Sequence, residues 1–153
     1  MLVDQSQLGR HRHPSATATL LARLSDAEAQ ARIAYLEAAG SCEAHTKVAF
    51  VLVCHAERST LQAARLDALL HRLDPHLRHG WPKRERRADD RRFGRSGGWP
   101  PATAIELAIA EVRRYRDACD HAEGVCNQEA AAVFERCLAE EEQFLAIVRE
   151  MQV

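Results

Sequence analysis

The sequence lacks several features that would place a protein in well-defined classes. No apolar run approaches the roughly 18 residues that cross a bilayer, and the first residues lack the apolar segment of a signal peptide. The five cysteines form no C-x-x-C pair, and an odd number of cysteines argues against a disulfide framework. We therefore expect a cytoplasmic protein with free thiols and without membrane association.

Aromatic residues are also scarce, at 5% of the chain, whereas the helix formers Ala, Leu, Glu and Arg are abundant. The 153 residues are enough for one domain, spanning 1–153, with a core of its own. The patterns predict four helices and no sheet. The first three helices are expected to end at Gly40, Asp74-Pro75 and Gly124, with predicted spans of about 16–39, 42–73, 101–123 and 128–151.

The residues that could begin each helix give weaker sequence signals than those that end it. Ser41 is a plausible N-cap for the second helix, Pro101 fits the first turn of the third, and Asn127 is a plausible N-cap for the fourth. The first helix has an alternative, because Ser25 and the acidic residues after it could begin a new helix after a break near Leu24.

The segment 76–101 has no helical periodicity and is too long for an ordinary helix–helix turn. We therefore predict an all-α, ferritin-like four-helix bundle, in which this crossover connection joins two antiparallel hairpins. Residues 1–14 are expected to form a flexible arm. Residues 78–95 hold eight Lys or Arg and three acids, and the interleaved acids make nucleic-acid binding unlikely. A solvated loop anchored by its tryptophans is favoured there, and a protein or another anionic partner is the alternative.

Four glutamates carry the functional prediction. Glu28, Glu57, Glu111 and Glu141 each occupy an apolar stripe with steps of three or four residues; for Glu57 the stripe is Phe50, Cys54, Glu57, Leu61, Ala64 and Ala68. Buried carboxylates persist when they are paired, protonated or bound to metal. Four of them at mid-bundle are typical of a two-metal site. In the alternative reading some of them face solvent, and a rotated helix presents Glu106, Glu140 or Glu142 instead.

Three segments carry a resemblance to a known family. Residues 27–35, AEAQARIAY, resemble the E-x-Q-A-R-x-x-Y of the first helix of rubrerythrins. Residues 104–115 resemble their third helix, and residues 134–142 resemble the F-x-x-L-A-x-E-E run of their fourth. The resemblance implies a carboxylate site for two metal ions, Fe or Mn, with metal handling or peroxide- and oxygen-related redox chemistry. Bundles of this type often pair, so we also expect a homodimer.

The departures from the family pattern are specific. Rubrerythrins carry E-x-x-H on the second and fourth helices, where this chain reads Glu57-Arg58-Ser59-Thr60 and Glu141-Glu142-Gln143-Phe144, and it has no rubredoxin-like cysteine module. His55 would point away from Glu57 around the helix, so it is a poor substitute. Oxygen-only ligands favour Mn, Mg or Ca over tightly held iron. Two functions stay open: a weak or empty metal site, and a metal-free interaction module that uses its surface and basic loop.

Overall fold

The computed structural model describes residues 14–42, 46–77 and 102–151, and the regular structure in these ranges is helical. The four helices are α1 (Ala16–Gly40), α2 (Thr46–Leu73), α3 (Ala102–Gly124) and α4 (Gln128–Glu150). The prediction of an all-α four-helix bundle is confirmed. The predicted arm as far as residue 13, and the predicted connection from residue 78 to 101 with its basic stretch, lie outside the described residues.

Two of the helix starts show why the sequence folds as it does locally. Ser15 caps α1 by accepting a 3.1 Å hydrogen bond from the backbone N–H of Ala18. Asn127 caps α4, as predicted, by accepting a 3.0 Å bond from the N–H of Ala130. Each cap satisfies a first-turn N–H that has no partner inside its own helix.

The continuous first helix is confirmed and its alternative is excluded, whereas the predicted start of α2 is wrong. No break occurs near Leu24, because α1 continues to Gly40 and the Ser25 hydroxyl donates 2.8 Å to Asp67 on α2 instead of capping a new helix. Ser41 does not cap the start of α2. Its backbone N–H bonds carbonyls in the last turn of α1, and its hydroxyl also donates into that turn, so it closes α1 and α2 begins at Thr46.

The helices pair as two hairpins, α1 with α2 and α3 with α4, and α1 also packs against α3 and α2 against α4. Side-chain contacts between the hairpins run in reverse order, since early residues of one helix meet late residues of the other. These contacts are Thr17–His121 and Tyr35–Glu111 for α1 with α3, and Gln62–Glu141 and Arg72–Glu129 for α2 with α4. The neighbouring helices are therefore antiparallel across both seams.

The core is divided into two apolar clusters with polar side chains between them. One cluster lies toward the α1–α2 turn and includes Tyr35, Val48, Leu52, Val112, Phe144 and Val148. The other lies toward the α3–α4 turn and includes Leu21, Leu66, Leu69, Tyr115 and Phe134. Because the bundle excludes water from both clusters, any charge placed between them lies in a poorly solvated environment.

All five cysteines lie within the described ranges and are free, which confirms the prediction of free thiols. Cys42 and Cys137 are buried, whereas Cys54 is exposed. In the parts of the chain that are described, no helix is long and apolar enough to cross a bilayer.

The backbone conformation of the α3–α4 turn can be tested by substituting two of its residues. Cys126 has φ 53°, whereas Gly124 does not have a positive φ, and a Cβ added to Gly124 would meet nothing within 4 Å. We expect Gly124→Ala to raise the free energy of unfolding by about 0.5–1 kcal/mol, because alanine restricts the unfolded chain. Cys126→Gly should raise it by up to about 1 kcal/mol by relieving the left-handed conformation. Urea denaturation measures both, and a destabilised Gly124→Ala variant would contradict this account of the turn.

Candidate metal centre

Each of the four helices contributes a buried polar side chain to one layer at mid-bundle. Glu28 comes from α1, His55 from α2, Glu111 from α3 and Glu141 from α4, and none is more than 3% exposed. One donor atom each from His55, Glu111 and Glu141 lie within 4.8 Å of one another. This buried cluster of one imidazole and two carboxylates could hold a metal ion.

The predicted inward position of Glu57 is wrong. Its side chain is 63% exposed and lies 3.7 Å from the Arg32 guanidinium. Residues two apart on a helix point about 200° away from each other, so only one of positions 55 and 57 can face the core. The structure places His55 there. The buried stripe of α2 is Val48, Leu52, His55, Ala56, Ser59, Gln62, Leu66 and Leu69.

The other three predicted glutamates face inward. Glu28 is 1% exposed, and Glu111 and Glu141 are fully buried. On α4 the neighbouring acids do not replace Glu141, since Glu140 is half-buried and Glu142 is exposed. The structure therefore brings together three of the four glutamates that the sequence selected. It adds a histidine that the sequence argument had set aside.

The distances inside the cluster suit a single ion. His55 Nε2 lies 3.1 Å from Glu141 Oε2 and 3.7 Å from Glu111 Oε2. Donor atoms bound to one transition metal at about 2.1 Å lie roughly 3–4.2 Å apart, depending on the angle between them. The three donors need only small side-chain movements to reach that geometry.

Two tyrosines connect the hairpins through the carboxylates. The Tyr35 hydroxyl donates a 2.6 Å hydrogen bond to Glu111 Oε2, and the Tyr115 hydroxyl donates a 2.6 Å bond to Glu28 Oε1. Each tyrosine thus bonds the glutamate of the opposite hairpin. Such bonds are short, and each becomes about twice as strong when the carboxylate that accepts it is ionised. They fix one oxygen of each carboxylate and leave the other oxygen available.

Glu141 is oriented by a chain of polar contacts that reaches toward the surface. Gln62 Nε2 donates 2.8 Å to Glu141 Oε1 and 3.2 Å to Glu140. Arg65 in turn holds Glu140 through contacts of 2.8 and 2.9 Å. Outer partners of this kind orient the ligands of protein metal sites.

The imidazole of His55 is held by aromatic rings. It stacks on Phe144 with ring centroids 3.5 Å apart and an interplanar angle of 2°, and it meets the Tyr35 ring edge-on at 4.7 Å. Phe144 occupies the α4 position where the rubrerythrin pattern has histidine. The Phe144 ring of α4 therefore supports the imidazole that α2 contributes.

Several buried polar atoms of this layer have no hydrogen-bond partner among the described residues. They include Glu28 Oε2, Glu111 Oε1, His55 Nδ1, Ser59 Oγ and Gln62 Oε1. Glu141 Oε2 and His55 Nε2 also make no hydrogen bond of good geometry, but they lie 3.1 Å apart as an ion pair. A buried polar group left unsatisfied costs about 1–3 kcal/mol. A bound cation would satisfy the carboxylate oxygens and the imidazole together, so these residues fit a metal.

Proton affinity in the layer is shifted upward. Burial, followed by the charges of Glu111 and Glu141, raises the pKa of Glu28 to about 8. Burial also raises the pKa of Glu111. Burial lowers the pKa of His55, but the neighbouring carboxylates of Glu111 and Glu141 outweigh it and raise the pKa to about 9. Without a cation the layer therefore holds protons at neutral pH.

Comparison with known proteins does not assign the chain to a family. No protein-family model matches the chain, and no match was found among curated proteins or solved structures. The function is therefore argued from the site itself, with the rubrerythrin resemblance resting on the three sequence segments alone.

The sequence contained a signal for the α2 residues that the prediction missed. The buried stripe of α2 has large aliphatic residues at both ends, Val48 and Leu52 at the first and Leu66 and Leu69 at the second. Its middle carries His55, Ser59 and Gln62. The outward stripe also carries large apolar residues, Phe50, Val53 and Leu61, with Glu57 at its centre and alanines toward its C-terminal end. Side-chain size therefore gives only a slight signal for the inward stripe, whose large aliphatic side chains gain most from burial.

The pKa shifts predict how the metal-free protein responds to pH. Folded Glu28 binds its proton up to its pKa of about 8 and folded His55 up to its pKa of about 9, whereas the unfolded groups release theirs near their ordinary pKa values of 4.5 and 6.5. The folded state binds more protons across these windows, so the free energy of unfolding should fall as pH rises from 4.5 to 9. Urea denaturation in chelator should show the fall. Glu28→Gln should make the fall shallower between pH 4.5 and 8, and unchanged stability across the range would contradict the shifts.

Proposed function

We propose that the chain is a metal-binding four-helix bundle of rubrerythrin-like, ferritin-like type that holds one divalent transition-metal ion between His55, Glu111 and Glu141. The observation that carries the proposal is the buried imidazole–carboxylate cluster, in which Glu111 Oε1 and His55 Nδ1 have no hydrogen-bond partner among the described residues. Four-helix bundles commonly build metal sites from inward side chains of facing helices. The antiparallel seams of the described helices agree with a crossover connection between the hairpins.

A single ion fits the residues better than the pair that the family pattern implies. Two-metal bundles of this kind use four carboxylates and two histidines. Here Glu57 lies on the outside. Apart from His55, the inward polar residues in the middle of α2 are Ser59 and Gln62, which bring no further carboxylate. The buried layer therefore offers three carboxylates and one imidazole as potential ligands. Glu28, held by Tyr115, is then a further carboxylate beside the ion and not a ligand of a second one.

The imidazole changes the expected metal. Hard oxygen ligands alone favour Mg, Ca or Mn, whereas imidazole favours Fe, Zn and other transition metals. A mixed set of one nitrogen and two carboxylates therefore points to Mn(II), Fe(II) or Zn(II). With Mn or Fe bound, the site would supply the redox chemistry toward peroxide or oxygen that the resemblance implies.

The surrounding residues have defined tasks in this proposal. His55 binds through Nε2 in its neutral form, so metal entry displaces a proton from the ring. Tyr35 orients Glu111, and Gln62 orients Glu141, by the hydrogen bonds they already make. Because these supports are formed in the metal-free protein, the ligands lose little conformational freedom on binding.

The alternative function is a metal-free bundle that acts as an interaction module. It has a specific observation in its favour, since protons on Glu28 and His55 already neutralise part of the layer. In that case the acids and the histidine form a structural network alone. Metal binding by the purified protein separates the two functions.

Thermal stability tests the ligand set. Mn(II), Fe(II) under anaerobic conditions, or Zn(II) should raise the melting temperature, because a ligand at about 100 times its Kd stabilises the fold by about 2.7 kcal/mol. His55→Gln and Glu141→Gln should each remove the rise. Glu57→Gln and Glu142→Gln are matched controls on the same two helices, with exposed side chains, and should retain it. A wild type without any rise, or loss of the rise in Glu57→Gln, would contradict the proposal.

Stoichiometry and pH test the number of ions. Protein incubated with excess Mn(II) or Zn(II), then freed of unbound metal, should contain one ion per chain by elemental analysis. Affinity should increase as pH rises from about 6 to 9, because His55 and Glu28 release the protons that compete with the metal. Two ions per chain would restore the two-metal prediction, and pH-independent binding would exclude this site.

A further inference from the structure

A groove between α3 and α4 combines apolar and basic side chains. Its volume is about 170 Å³, and six side chains line it: Ile109, Val112, Arg113, Arg116, Leu145 and Arg149. The three aliphatic residues are buried or half-buried and form the floor of the groove, whereas the three arginines are exposed and form its rim. Among these six lining residues none is acidic, and none belongs to the metal cluster.

The register of the hairpin explains how these residues alternate. The Arg116 guanidinium of α3 donates a 2.8 Å hydrogen bond to Glu142 of α4. Because the two helices of a hairpin run antiparallel, one turn before Arg116 on α3 lies beside one turn after Glu142 on α4. The next two levels are then Arg113 beside Leu145, and Ile109 beside Arg149. Each of these levels places one guanidinium next to one aliphatic side chain.

Two of the three arginines have no acidic partner in the parts of the chain that the structure describes. Arg116 pairs with Glu142, but the ion pairs there include neither Arg113 nor Arg149. Arg113 and Arg116 are also three positions apart on one helix, so their like charges are neighbours and repel. An anion between the guanidinium groups would compensate this positive charge.

We propose that the groove binds a small amphipathic anion, whose carboxylate or phosphate head is held by Arg113 and Arg149 and whose apolar tail covers the floor. Guanidinium groups bind either head through paired N–H donors. An inorganic anion would leave the floor in contact with water, and a neutral apolar molecule would leave both guanidinium groups unpaired. An amphipathic anion satisfies both parts of the groove.

The volume of the groove limits the size of the tail. Liquid water occupies about 30 Å³ per molecule, so a space of about 170 Å³ accepts about six groups of that size. A tail of about six carbon atoms therefore suits the groove, and hexanoate is the probe that we choose. The site does not depend on a metal, because no residue of the groove is a ligand in the proposed centre.

The first experiment titrates metal-free protein, freed of chelator, with hexanoate and follows the methyl signals of Ile109, Val112 and Leu145 by NMR. These signals should shift saturably, whereas acetate and hexanol should bind at least about tenfold more weakly, because each supplies only one of the two contacts. Absence of a saturable shift, or equal binding of hexanol and hexanoate, would overturn the proposal. Neither outcome bears on the metal centre, which is empty in this measurement.

The second experiment tests the guanidinium groups. Arg113→Gln and Arg149→Gln should each weaken hexanoate binding by about tenfold, because a charged hydrogen-bond donor to the head is lost. Arg114→Gln is the matched control, since it makes the same charge change on α3 at a residue that does not line the groove. It should change the dissociation constant by less than about twofold. Equal losses in Arg113→Gln and Arg114→Gln would show that net charge alone attracts the anion, and the site would be rejected.

The third experiment tests the floor and identifies the head group. Ile109→Ala should weaken binding of hexanoate and of hexyl phosphate but leave binding of inorganic phosphate unchanged. Ile147→Ala, on the exposed side of α4 and outside the groove, should leave all three unchanged. The tighter of the two six-carbon ligands identifies the head that the groove prefers. Inorganic phosphate that binds as tightly as hexyl phosphate would exclude a role for the floor and overturn the proposal.

Discussion

The burial of three carboxylates between two apolar clusters is the constraint on which the rest of this bundle depends. Glu28, Glu111 and Glu141 are almost wholly removed from water. An ionised carboxylate in such surroundings is destabilising by several kcal/mol unless it is paired, protonated or coordinated. Tyrosine and glutamine side chains donate hydrogen bonds to these carboxylates, burial raises the pKa of Glu28 and Glu111, and the His55 imidazole lies beside Glu111 and Glu141. One oxygen each of Glu28 and Glu111 is left without a hydrogen-bond donor among the described residues.

These polar contacts also define how the two hairpins meet. The tyrosines and Gln62 all bond glutamates of the opposite hairpin, so the polar layer joins α1 to α3 and α2 to α4. Hydrogen bonds are directional, whereas apolar packing tolerates sliding by part of a turn. The layer therefore fixes the register of the hairpins at mid-bundle, and the aliphatic clusters on either side supply most of the favourable burial.

The rotation of α2 decides which of its side chains join the polar layer. With His55 inward, the layer has one nitrogen ligand and three carboxylates, which favours one transition-metal ion over two. The same rotation leaves Glu57, Phe50 and Leu61 exposed on the outside of the bundle. If Glu57 had faced the core, the site would have been richer in oxygen and the surface less apolar. A turn of about 200° in one helix thus decides both the chemistry of the core and the character of the surface.

The sequence by itself determined the helical class, the free thiols, the Asn127 cap and the inward direction of Glu28, Glu111 and Glu141. These follow from local rules, since the apolar stripes of α1, α3 and α4 favour these glutamates over their acidic neighbours and caps act within one turn. Such features depend on residues close together along the chain.

Only the tertiary structure decided which face of α2 is buried and which carboxylates meet. Two stripes of similar apolar content compete on that helix, and periodicity alone cannot rank them. The choice depends on α1 and α4. Tyr35 of α1 meets the His55 ring, and α4 offers Glu141 to Gln62 and the Phe144 ring to His55. The crossed tyrosine–glutamate bonds and the shared rise in proton affinity likewise arise between helices distant in sequence. Burial and charge coupling are properties of the assembled bundle, so no single helix encodes them.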